Sequence, residues 1–145
     1  MRLTAFTDIG LRTLMYLSSL PAGQLSSVSE ISQVYNISKN HTVKIVGQLS
    51  KYGYITTIRG RNGGICLALP QEQINIGEVI RHLENHLDGV DCITSSCQLV
   101  GVCELKKALA KAMEAFLKTM DNYTLADLVI NKQQLNQFWI TSQAL

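Results

Sequence analysis

The sequence predicts a mainly α fold with a minor β component (α+β), and three observations carry that prediction. Apolar residues recur at three- and four-residue steps in several segments that open on Ser, Thr, Asp or Asn, the pattern of capped amphipathic helices. Two short runs rich in Ile, Thr and Leu flank the glycine-rich stretch Arg59-Gly60-Arg61-Asn62-Gly63-Gly64, as the arms of a hairpin would. Glu104 to Met120 then keeps helical periodicity without a break.

Taken in order, Thr7 or Asp8 is positioned to cap a first helix with Leu11, Leu14, Met15 and Leu17 on its buried face, ending before Pro21-Ala22-Gly23. Ser27-Val28-Ser29-Glu30 is a capping box that opens a short second helix with Ile31 and Val34 as its apolar stripe. Asn36-Ile37-Ser38 reads as a turn, and Ser38 caps a third helix in which Val43, Ile45, Val46 and Leu49 recur, with Gly53 as its stop. Strands are expected over Tyr54–Ile58 and Ile65–Leu69, and Asn75-Ile76-Gly77-Glu78 is a further capping box opening a fourth helix. Helix, tight turn, helix, hairpin is the order of a winged helix-turn-helix domain, expected over residues 1–75. Residues 76–103 form a connecting helix and a cysteine-bearing loop, and residues 104–130 the helices expected to make a dimer. In the long helix Leu105, Leu109, Ala112, Phe116 and Met120 share one face, with Lys106, Lys107, Lys111 and Lys118 outside it; at about 1.5 Å per residue it spans about 25 Å. Asp121-Asn122-Tyr123-Thr124 breaks it, Thr124 caps a short helix, and the tail 131–145 carries no clear signal.

With 145 residues, 46% hydrophobic and 17% charged, the chain supports one domain with a real core and is too apolar for disorder. No apolar run reaches membrane-spanning length, and Asp8 and Arg12 interrupt any signal-peptide core, so a cytoplasmic protein with no membrane partner is expected. The net charge of +2 is unevenly spread. Residues 1–70 hold seven basic against two acidic side chains, while residues 71–145 hold six against nine. A basic first half points to a polyanionic partner there. Ser38, Lys39, Asn40, His41 and Lys44 at the start of the third helix are residue types that contact bases and phosphates. Arg59, Arg61, Asn62, Gly63 and Gly64 at the wing tip can approach a DNA backbone or enter a minor groove. No nucleophile–base pairing is legible and the glycines lack a phosphate-cradling context, so no enzymatic activity is expected.

Three of the four cysteines, Cys92, Cys97 and Cys103, stand in the spacing C-x4-C-x5-C. A reducing compartment and an odd count disfavour disulfides. Structural zinc commonly shows a paired C-x2-C knuckle that is missing here, although His82 and His86, four residues apart, could share a helix face and contribute. Three inert buried cysteines fit poorly in a loop with Gly89, Ser95, Ser96 and Gly101. An iron–sulfur cluster accepts wide, irregular cysteine spacing. Cys66, inside the apolar run Ile65–Leu69, fits a small buried hydrophobe.

Several segments together resemble a known family. They are Met1-Arg2-Leu3-Thr4-Ala5-Phe6-Thr7-Asp8; Ser38-Lys39-Asn40-His41 with Val43-Lys44-Ile45; Arg59-Gly60-Arg61-Asn62-Gly63-Gly64-Ile65; the three loop cysteines; and Asp121-Asn122-Tyr123-Thr124-Leu125-Ala126-Asp127-Leu128. Over about residues 1–130 the chain is similar to the NsrR group of nitric-oxide-responsive iron–sulfur repressors, within the wider winged-helix group that includes IscR. That resemblance implies a homodimer bearing one cluster per chain, 4Fe-4S preferred over 2Fe-2S. Cys92, Cys97 and Cys103 would come from one chain, and a non-cysteine fourth ligand, matched by Asp8, from the partner chain. It further implies a repressor that leaves an inverted-repeat operator in double-stranded DNA when nitric oxide attacks the cluster. The alternatives are a regulator of the IscR type, sensing iron–sulfur supply or redox state, and a non-regulatory iron–sulfur or zinc protein, against which the basic wing and third helix speak.

Overall fold

The computed structural model describes residues 2–143 except 93, 95 and 100, so Met1 of the opening motif, Ser95 of the loop and the last two residues of the tail lie outside the described residues. The chain runs α1 (Ala5–Ser19), α2 (Val28–Tyr35), α3 (Lys39–Lys51), β1 (Ile55–Ile58), β2 (Gly64–Leu67), a 3-10 turn (Gln71–Gln73), α4 (Ile76–Leu83), α5 (Glu104–Met120), α6 (Leu125–Leu128) and α7 (Lys132–Gln143). It is a mainly helical winged helix-turn-helix with a small antiparallel sheet, and α5 has the bounds expected from the sequence.

α1 begins a turn earlier than expected. Its cap is Thr4, whose hydroxyl accepts the N–H of Thr7 at 3.4 Å. Thr7 is fully buried and occupied elsewhere, and Asp8 falls inside the first turn. α2 opens on the expected capping box, with Ser27 Oγ accepting from Glu30 N–H at 3.1 Å and Glu30 Oε2 accepting from Ser27 N–H at 3.0 Å. β1 pairs with β2 in a register that sets Ile55 opposite Leu67 and Ile58 opposite Gly64. Ser26 adds a bridge to Ile65 through bonds of 2.8 and 2.9 Å, which seats the wing against the segment before α2.

The capping box expected at α4 is only half present. Asn75 Oδ1 accepts the N–H of Glu78 at 3.0 Å, while its amide donates to the carbonyl of Asp121 at 2.7 Å. The Asn75 side chain therefore joins two helices. Around it Ile76 N–H donates to Tyr123 O and Leu125 N–H to Ile74 O, each at 2.9 Å. Arg81 donates both guanidinium N–H groups to Asp121, at 2.5 and 2.8 Å, and this holds the Asp121 carboxyl below its ordinary range. A Cβ on Gly77 would strike that carboxylate, so glycine is what lets α4 and the end of α5 approach.

One core unites Leu14 and Leu17 of α1, Ile31 of α2, Ile45, Val46 and Leu49 of α3, Ile55 and Ile65 of the wing, Val79, Ile80 and Leu83 of α4, and Leu125 of α6. Val43, expected on the buried stripe of α3, is instead 54% exposed, because Ile45, Val46 and Leu49 already fill the inward face. Along α5 only Met113 is buried, with Phe116, Leu117 and Met120 partly so, while Leu105 is 63% exposed. α7 was not legible in the sequence, since among its described side chains the partly buried apolar ones, Leu135 and Trp139, are set among Gln and Asn residues.

Glu84 ties the two ends of this core together. It is 7% exposed, and its Oε2 accepts from Thr4 N–H (2.8 Å), Thr4 hydroxyl (3.0 Å) and Thr7 hydroxyl (3.0 Å). Burial acts to raise its pKa, and the hydrogen bonds from Thr4 and Thr7 outweigh burial, so the carboxyl lies below its ordinary value. A depressed folded-state pKa gives stability that is present above the ordinary carboxylate value and is lost as pH falls through the depressed one. Glu84→Gln is therefore expected to lower stability by about 1–3 kcal/mol at pH 7, with the gap to the unaltered chain narrowing in acid, measured by urea unfolding at both pH values. Gly77→Ala is expected to cost about 1–3 kcal/mol through overpacking; an unchanged urea midpoint would show that Asp121 can yield.

Candidate functional site

The end of α3 that carries the predicted reading residues is built by its cap. Ser38 Oγ accepts from His41 N–H at 3.2 Å, so that hydroxyl is engaged in starting the helix. Lys39, Asn40 and Lys44 are exposed. Thr42 points inward, fully buried, and its hydroxyl meets Ser32 Oγ at 2.8 Å, which fixes α3 on α2. His41 stacks on Phe6 of α1, with ring centroids 6.0 Å apart and planes at 18°. Two residues missed by sequence reasoning complete the outward face. Val43 offers an apolar group of the kind that meets a thymine methyl, and Gly47 has nothing within 4 Å of where a Cβ would stand. The stripe pattern hid Val43, and a lone glycine inside a helix was the available signal for Gly47.

On the wing Arg59, Gly60, Arg61 and Asn62 are exposed at the tip. Gly60 has φ +113°, a conformation that favours glycine. Gly63 and Gly64 have local structural work: a side chain on Gly63 would strike the carbonyl of Ile58, and one on Gly64 would crowd Leu25 and Ser26. Among the described residues Lys39, Lys44, Arg59 and Arg61 have no ion-pair partner. Four uncommitted cations on one helix end and one hairpin tip are suited to phosphates.

The cysteines are free, and all four are half-buried. Cys97 N–H donates to Cys92 O at 3.4 Å, and Asp91 Oδ1 accepts from Thr94 N–H at 2.8 Å, so the loop folds back in tight turns. Gly89 and Gly101 take positive φ of 78° and 98°, and Gly89 lies against Leu109 of α5. Cys103 stands at the N-cap of α5 and makes no side-chain cap bond. Cys66 is half-buried on β2, opposite Thr56. Among the described residues no three His, Cys, Asp or Glu side chains are gathered to hold a metal ion. The donor set of three loop thiols suits iron–sulfur ligation, while the single chain does not assemble a complete site.

The histidines do not share the helix face that a zinc site built on them would need. α4 ends at Leu83, which leaves His86 beyond it, exposed. His82 is taken up by the wing base, with Nδ1 2.7 Å from Tyr54 Oη and its ring stacked on Tyr52 at 4.0 Å. Burial first, then Glu78 and Tyr52, push the Tyr54 phenol up to about 12. Asp8 lies in the first turn of α1, 46% exposed, with Oδ1 2.8 Å from Arg12 Nε.

Similarity to known proteins is extensive. Residues 3–131 match the family model Rrf2, described as an iron-dependent transcriptional regulator. CymR of B. subtilis, described as the global cysteine regulator, superposes with a TM-score of 0.70 at 25% identity, over 88% of this chain and 95% of that one. The oxidized form of Staphylococcus aureus CymR gives 0.70 at 28% identity, over 90% and 97%. IscR of T. potens shares the fold, at 0.69 and 22% identity, over 90% and 88%. No described helix is long and apolar enough to cross a membrane. A winged helix-turn-helix with uncommitted cations on its reading helix and wing, matched by the family model over residues 3–131, makes this chain a member of the Rrf2 family of DNA-binding transcriptional regulators.

Proposed function

We propose that this regulator is a homodimeric repressor which holds an iron–sulfur cluster and leaves its operator when nitric oxide attacks that cluster. The observation that carries the proposal is the combination of three free thiols in one loop with an exposed first-turn aspartate on a helix of the reading half. Cys92, Cys97 and Cys103 of one chain would hold the cluster, one per chain and 4Fe-4S in preference to 2Fe-2S, with Asp8 of the second copy as fourth ligand. When bound, the cluster supplies an iron corner whose hard carboxylate ligand a small molecule displaces more readily than a thiolate.

The chain's own residues supply the connection to DNA. Asp8 is held within its chain by Arg12, an exposed pair of the kind that contributes little, so the carboxylate is free to serve a neighbour. Phe6, two residues earlier, stacks on His41 of α3, so a displacement of the α1 start bears on the reading helix. α5 leaves Leu105 and Ala108, Ala112 and Ala115 exposed, an apolar strip that a second copy would cover. A typical coupling of about 1–3 kcal/mol between cluster and DNA sites would change operator affinity by roughly 5–150-fold. A second reading, a sensor of iron–sulfur supply or redox state, is favoured by the family's description as iron-dependent; it uses the same residues and differs in what removes the cluster.

Anaerobically purified protein is expected to absorb in the visible, and Cys92→Ser, Cys97→Ser and Cys103→Ser each to abolish that band while Cys66→Ser keeps it. Asp8→Asn is expected to fold and to lose the band faster under nitric oxide. Bleaching by Cys66→Ser would overturn the ligand set. Loss of DNA binding on iron chelation but not on nitric oxide would favour the second reading.

The operator is expected to be an inverted repeat with half-sites about one helical turn, or a multiple, apart. Arg61→Ala should weaken duplex binding and lower the slope of log affinity against log salt by about one, the signature of one lost phosphate contact. An unchanged slope would remove Arg61 from the interface.

A further inference from the structure

The hairpin carries its tip on two arms of four residues, so its aim depends on how its base is held. At about 3.3 Å per residue an arm spans about 13 Å, and a tilt of about 10° at the base moves the tip about 2 Å. A displacement of that size breaks a hydrogen bond to a phosphate. One arm is fastened along its length where Ser26 bridges Ile65. The base is fastened at Tyr54, which precedes β1. Its N–H donates to Leu49 O of α3 and its carbonyl accepts from Ala68 N–H, both at 3.0 Å. The end of the reading helix and both arms of the hairpin therefore meet at this residue.

Three rings gather there. The phenol oxygen of Tyr54, a residue 4% exposed, lies 2.7 Å from Nδ1 of His82 in the last turn of α4. The same imidazole stacks on Tyr52, the C-cap of α3, with centroids 4.0 Å apart and planes at 10°. Lys51 Nζ stands over the Tyr52 ring, 5.6 Å from its centroid. Burial above all raises the Tyr54 pKa to about 12, so the hydroxyl keeps its proton for the bond to His82. By one stack and one hydrogen bond, His82 thus holds both the residue that closes α3 and the residue that leads into the hairpin. Its own helix is anchored two residues further on, where Glu84 binds the start of α1. We propose that His82 is a positioning residue for DNA binding: from α4 it holds the hairpin base, through Tyr54 and Tyr52, at the angle from which the tip reaches a phosphate. The proposal rests on the wing meeting DNA, the reading that Arg61 tests.

The slope of log affinity against log salt counts the phosphates that a bound protein neutralises, and a general loss of structure leaves it unaltered. The probe is a duplex selected by the unaltered full chain from a random-sequence pool. Tyr54→Phe removes one hydroxyl and no charge, while His82→Phe keeps a ring against Tyr52 and loses the nitrogen. Each is expected to weaken binding about fivefold and to lower the slope by about one. The double variant should lose no more than the worse single one, since both remove the same linkage. Distant residues otherwise add their effects, yet Arg61→Ala placed beside Tyr54→Phe should cost less than about twofold, because the tip has already left its phosphate. Full affinity in both single variants, a weakened affinity with an unchanged slope, additive losses in the double variant, or an undiminished Arg61→Ala effect beside Tyr54→Phe would each overturn the positioning role alone. Normal binding by Arg61→Ala in the otherwise unaltered chain would overturn the wing reading, and the proposal with it.

Discussion

Three hydrogen bonds from Thr4 and Thr7 converge on Oε2 of Glu84, and much of the molecule is arranged around that junction. Glu84 closes α4, and the cysteine loop leaves directly from it. Thr4 and Thr7 open α1, the helix that carries Asp8 and, through Phe6, touches the reading helix. A carboxylate buried among hydroxyl and amide donors is stable only while every donor stays in place. The start of α1 consequently cannot drift relative to the root of its own loop without exposing or orphaning a charge.

The second fixed point lies at the other end of α4. Asn75 spans to the carbonyl of Asp121, Arg81 grips the Asp121 carboxylate, and Gly77 leaves the room for it. These contacts give Asp121-Asn122-Tyr123-Thr124 its structural meaning: its backbone pairs with Asn75 and Ile76 and its carboxylate is held by Arg81. With both ends of α4 locked, one to the reading half and the other to α5, α4 serves as the rigid strut between them.

Where one residue type performs one local task, the sequence was readable. Ser38 caps α3, Ser27 and Glu30 make a reciprocal box, and the helical periodicity of the 17-residue α5 stops at Asp121. Pairings between distant residues were not readable. Nothing local distinguishes Glu84, 80 residues from Thr4, from a solvated glutamate, and the cap of α1 was read at Thr7 or Asp8, a turn past Thr4, which performs it. Val43 was misplaced because three neighbouring aliphatics made its helix look apolar on more sides than the core could cover. α7 stayed hidden because Leu135 and Trp139, the half-buried apolar residues among its described side chains, give too little periodicity to stand above a polar background. At the candidate site the sequence singled out the three thiols and Asp8, and among the described residues of one chain they are not gathered, since they sit on segments that no local pattern connects.

That separation has a consequence for the proposed mechanism. Within one chain the helix turn that carries Asp8 is tied to the root of the cysteine loop through Thr7, Thr4 and Glu84, and this fixes the backbone from which its carboxylate extends. A ligand confined in this way binds its own loop only if the loop rises to meet it, whereas the loop of a second copy is free of the tie and can dock at the geometry the metal requires. Cross-chain ligation would then load the cluster's binding energy onto the relative placement of two reading halves, which is the quantity an inverted repeat measures. Ligation inside one chain would stiffen each half separately and leave their spacing unchanged. The Glu84 junction is therefore what gives the proposed fourth ligand its leverage over DNA: a firmly held α1 passes force to α3, and a loosely held one would absorb it.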